Sequence, residues 1–94
     1  MKEQEEQDQA FSRVCAGLEK NVATKREAYK ENPEDTELVS DLAIAMWYRD
    51  AAAKLRREGF TGNITDEITR QCKEDHVICE VLAYFVDIID ERHC

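Results

Sequence analysis

Three features of this sequence predict an all-α fold, a bundle of three long antiparallel helices. Only one proline and three glycines interrupt 94 residues, so the elements between breaks are long. Apolar residues recur at three- and four-residue steps, the repeat of one helix face. No stretch alternates apolar and polar residues as a half-buried strand does. At this length a single domain, 1–94, is expected, because either half alone would be too small to close a core unaided.

The first break is Asn32-Pro33-Glu34-Asp35. There Asn32 can cap a helix, Pro33 can take its first position, and the acids complement its dipole. The second is Gly59-Phe60-Thr61-Gly62-Asn63, a glycine just past Arg56-Arg57-Glu58, followed by Thr65 as a cap ahead of Asp66-Glu67. The helices so bounded cover roughly 5–31, 33–58 and 65–92. Residues 1–9 are polar and expected to fray.

The first helix carries one narrow apolar stripe, Phe11, Val14, Cys15, Leu18, Val22 and Tyr29, which Lys25 and Arg26 interrupt. The second carries two. Leu38, Leu42, Met46 and Ala53 form one side; Ile44, Tyr48, Ala51 and Leu55 form another, roughly opposite at about 100° per residue. The third does the same, with Ile64, Ile68, Ile78, Leu82, Val86 and Ile89 on one side and Val77, Val81, Tyr84 and Ile88 on a neighbouring one.

Three helices around one core need only part of each circumference to be apolar, so these double stripes are a surplus. One explanation is that the second and third helices sit deep in the bundle, with the first folded across them. The other is an interface, either a homodimer that completes the bundle or a groove for another protein. Trp47, Tyr48, Val77, Val81, Tyr84 and Ile88 are the candidate apolar contacts, aromatics being favoured anchors. Arg49 falls on the Leu42, Met46, Ala53 stripe and should have a carboxylate near it, either as an arginine snorkelling at the rim or in an ion pair with an acid of another helix. Asp75, close to the core side of the third helix, is either that acid or the mark of a local bend between Gln71 and His76.

Charge narrows the function classes. With 21 Asp+Glu against 13 Lys+Arg the net charge is -8, which disfavours direct nucleic-acid binding and favours a protein partner with a basic surface. Glu80, Asp87, Asp90 and Glu91 are the candidate acidic contacts. Their repeat along one side approaches the spacing of a phosphate backbone, although a merely solvated face has the same look. No apolar run is long enough to span a membrane, and the start Met1-Lys2-Glu3-Gln4-Glu5-Glu6 reverses the order of a secretion leader. A cytoplasmic location is expected, with Cys15, Cys72, Cys79 and Cys94 as thiols.

Chemistry-bearing patterns are few. Cys72, His76 and Cys79 at i, i+4 and i+7 have the atom types for zinc, with Cys15, His93 or Cys94 as a fourth ligand. Buried thiols beside a rim histidine explain the same residues without metal. Glu34 with Glu37 and Asp87 with Asp90 are carboxylate pairs, but a magnesium site needs two such motifs on adjacent core-facing helices. Asp90 and His93 form one acid-x-x-His, and a di-iron bundle needs two. There is no phosphate-cradling glycine loop and no serine nucleophile motif. No cofactor is expected. The expected function is a non-enzymatic protein-binding inhibitor or regulator, a composition type that includes phage and mobile-element proteins, acting on a basic nucleic-acid-processing complex. A structural homodimer, adaptor or antitoxin-like assembly factor is the alternative, and a small metal-dependent enzyme the second.

Overall fold

The computed structural model describes residues 2–93, with side chains from 5 to 91. It contains α1 (Lys2–Glu31), α2 (Thr36–Arg57), α3 (Ile64–Gln71) and α4 (Asp75–His93), packed as an all-helical bundle with no strand among the described residues. Helix α1 begins ahead of its expected start, and Gln7 ties it to the far end of α2. Its side-chain amide donates to the carbonyls of Phe60 at 3.0 Å and Gly62 at 3.2 Å.

At the first turn Asn32 closes α1 instead of opening α2, donating its backbone N–H to Ala28 and Tyr29. The chain needs the residues around Pro33 to reverse direction, so the capping role passes to Asp35. Its Oδ1 accepts from the Glu37 N–H at 3.0 Å. The end of α2 follows the expected glycine rule. Gly59 has φ +72°, its N–H bonds the Arg56 carbonyl, and the Phe60 N–H reaches back to Leu55 at 3.0 Å, the two bonds of a Schellman close. Helix α3 is capped by Asn63, not Thr65, through a 3.0 Å bond from the Asp66 N–H. That choice makes Ile64 the first helical residue, and Ile64 is buried.

The largest correction concerns the third expected helix, which is two helices. At Cys72 the backbone still bonds four residues back, to Ile68, but Lys73 and Glu74 bond only three back, to Arg70 and Gln71. No glycine or proline marks this break, and its residues are acceptable helix formers. Packing supplies the cause. Ile68 and Val77 are both buried in one cluster with Trp47 and Leu55, whereas nine residues of uninterrupted helix at about 100° each would put them on opposite sides. The tightened turn brings Val77 round to the core. Asp75 therefore marks the bend that was one of its two readings, as the first residue of α4. On the outside Arg70 bonds Glu67 at 2.6 and 3.1 Å and reaches Glu74 at 3.5 Å. Its guanidinium, helped by Gln71, holds the Glu67 carboxyl down to about 2, although pairs this exposed add little stability.

Helix α2 is the centre of the bundle. Toward its C-terminal end Trp47, Ala51, Ala52 and Leu55 pack with Phe11 of α1, Ile64 and Ile68 of α3, and Val77 of α4. Toward its N-terminal end Val39, Leu42, Ala43 and Ala45 pack with Val22 and Tyr29 of α1 and Ile88 of α4. Both α1 and α4 thus run antiparallel to α2, and buried alanines let the helix axes come close. Both sides of α2 are largely covered within the chain, as the deep-burial reading requires, with Ile44 its one exposed large apolar residue among those described. The molecule measures 48 × 27 × 20 Å.

Candidate functional site

Helix α4 turns Val77 and Ile88 into the core and rests Val81 and Tyr84 against it. Because the break sets that phase, the other apolar side of α4 faces outward. Ile78 is 63% exposed, Leu82 56% and Val86 54%. These residues stand at i, i+4 and i+8, a row about 12 Å long. Phe85 and Ile89 are half-buried against the second core cluster, so the row runs continuously from core to surface. Isolated exposed apolar side chains are ordinary, but an aligned row of three large ones is the pattern of a contact surface. Covering the exposed half of the three would contribute roughly 3 kcal/mol.

The candidate apolar contacts are placed differently. Trp47, Val77 and Ile88 are buried, while Tyr48, Val81 and Tyr84 are half-buried against the first cluster. This set is mostly the chain's own core. The open row is the side grouped in sequence with Ile64 and Ile68, and only those two of that side are buried. Reading 65–92 as one straight helix hid the exchange of faces; the one signal in the sequence was Asp75, an acid where such a helix would need an apolar residue.

Beside α4, on the α2 side, lies an open groove of about 700 Å³. Lys54 and Arg57 line it from α2, Gln71 and His76 from the region of the break, and Glu80, Tyr84 and Asp87 from α4. Two cross-links form its seam. The Trp47 indole N–H donates to Glu80 Oε2 at 2.6 Å, and the Tyr84 hydroxyl donates to Asp50 Oδ2. Burial, the bond to Asp50 and that carboxylate's charge push Tyr84 up to about 12. Arg49 has its carboxylate, but from its neighbour Asp50 at 3.2 Å, not from another helix. Tyr48 donates to the Cys72 sulfur at 3.5 Å, and this bond, with burial, raises its pKa.

The four candidate acids do not share one environment. Glu80 and Asp87 line the groove, Glu80 already accepting from Trp47. Glu91 pairs with Arg26 of α1 at 3.3 Å, and Asp90 is exposed. The zinc candidates are separated by the break: Cys72 caps α3, whereas His76 and Cys79 belong to α4. Among the described residues no group of three or more His, Cys, Asp or Glu is arranged to hold a metal ion. Cys94 and the His93 side chain lie outside the described residues. No described helix is long and apolar enough to cross a membrane. Comparisons with protein-family models, curated proteins and solved structures find no match to this chain.

Proposed function

We propose that the chain is a non-enzymatic protein-binding module, an inhibitor or regulator that docks through the outer face of α4. The observation that carries this reading is the Ile78, Leu82, Val86 row, which has the helical spacing of a buried stripe yet stays more than half exposed. Such a row supplies buried area on docking, and the exposed Asp75 and Asp90 beside it, within a chain of net charge -8, supply attraction at a distance. Four of the groove's polar side chains are bonded to one another, Trp47 to Glu80 and Tyr84 to Asp50, which suits a structural seam between helices. Surfaces that handle nucleic acid are basic and would be drawn to this face, so a nucleic-acid-processing complex is the proposed class of target.

The test compares proteins retained from cell extract by the wild-type chain and by Leu82→Glu. Position 82 is more than half exposed, so the variant should fold as the parent does, with unchanged circular dichroism. The expected result is at least one protein held by the parent and lost from the variant. Identical retention by both would contradict docking through α4.

A further inference from the structure

Resting on that docking reading, we infer that the occupant of the α4 face is an amphipathic helix of another protein, its apolar row edged by Lys or Arg, and not a second copy of this chain. Shape selects a helix. The described residues include no strand and hence no sheet edge on which an extended segment could add a hydrogen-bonded ladder. What α4 offers is Ile78, Leu82 and Val86 on successive turns, with Phe85 and Ile89 along the margin, and this matches the i, i+4 ridges of a second helix.

Charge selects its composition. Of the acids on α4, Asp75 and Asp90 are exposed and lie by helical phase on the side of the row, at its two ends, whereas Glu80 and Asp87 line the groove toward α2 and Glu91 pairs with Arg26; from Asp75 to Glu91 the helix carries neither Lys nor Arg. A second copy would have to lay this acidic helix on itself. Packed antiparallel about Leu82, Asp75 of one copy comes to the level of Asp90 of the other; packed parallel, each acid meets its own counterpart. Like charges set together at a closing interface oppose association. A helix whose row is edged by Lys or Arg reverses the sign at the same positions and also gains in encounter rate.

Two synthetic helical peptides with the same leucine row, one flanked by lysines and one by glutamates, test this directly by fluorescence anisotropy against the wild-type chain and Leu82→Glu. The lysine-flanked peptide should bind the parent, lose at least about tenfold in affinity to Leu82→Glu, and weaken between about 50 and 200 mM salt. The glutamate-flanked peptide should not bind. Equal binding of both peptides, still lost in Leu82→Glu, would overturn the basic partner while leaving α4 a docking face. Lysine-peptide binding that ignores Leu82→Glu would overturn the inference by placing the contact elsewhere. Failure of both peptides overturns the inference alone, and the docking reading then stands or falls with the retention experiment.

Discussion

Helices α2 and α4 both carry more apolar surface than a three-helix core demands, and the fold treats them differently. On α2 the surplus is absorbed: α1, α3 and α4 all pack against it, and Leu42, Ala51 and Leu55 from opposite stripes are all buried. On α4 one stripe, Val77, Val81, Tyr84 and Ile88, joins the core clusters, while Ile78, Leu82 and Val86 belong to neither and stay more than half exposed. The contrast teaches that a doubled stripe has no single meaning. A helix in the middle of the bundle needs two apolar sides in order to fold, whereas a helix at its edge needs one and can offer the other.

The sharpest way to break this comparison is to truncate a leucine on each helix. Leu42→Ala, at 1% exposure, should lose about 3 kcal/mol in urea unfolding, from lost transfer energy and the cavity left behind. Leu82→Ala should lose less than about 0.5 kcal/mol. Similar losses at the two positions would mean that the outer side of α4 is covered after all.

A smaller effect examines what holds α4 to α2. Trp47→Phe keeps most of the ring but removes the donor to Glu80, and should destabilise by about 1 kcal/mol, since the indole is buried while the charged acceptor is exposed. Glu80→Gln, which retains an accepting oxygen, should lose less. An unaffected Trp47→Phe protein would show that the seam lies elsewhere.

The last effect is a pH dependence, confined to alkaline solution. Tyr84 stands at about 12 in the folded chain against its ordinary 10.0, chiefly through burial and then through Asp50. With the folded value raised, its contribution to stability is complete below the ordinary value and disappears as pH climbs to about 12. Unfolding midpoints of the parent should therefore fall more steeply over that window than those of Tyr84→Phe. Parallel curves would remove Tyr84 from the seam, and because Tyr48 is present in both proteins its own raised value cancels in the difference.

Much of this contrast is legible in the sequence, and the missing part has one physical origin. The helical class, the turn at Pro33, the glycine close of α2 and the existence of a surplus all follow from local chemistry. The caps shifted by a few residues because neighbouring Asn, Asp and Thr compete for one role, and chain reversal at Pro33 and burial of Ile64 decided between them. The break at Cys72–Glu74 was legible only as one of two readings of Asp75, and its effect on the phase of α4 was not. Its residues favour helix, and only the shared burial of Ile68 and Val77 on α2 forces the chain to tighten there. That tertiary constraint exchanged the two faces of α4, so the outward apolar side is Ile78, Leu82 and Val86 and not Val81, Tyr84 and Ile88. It also parted Cys72 from His76 and Cys79.

Whether the open face of α4 is left for another protein is tested most directly by the mass of the chain in solution. Light scattering behind a sizing column, with reductant present and across micromolar concentrations, should give a single chain of 10.9 kDa, the same for the parent and for Leu82→Glu. A parent of twice that mass that Leu82→Glu reduces to one chain would contradict it, because the row would then already be covered by a second copy.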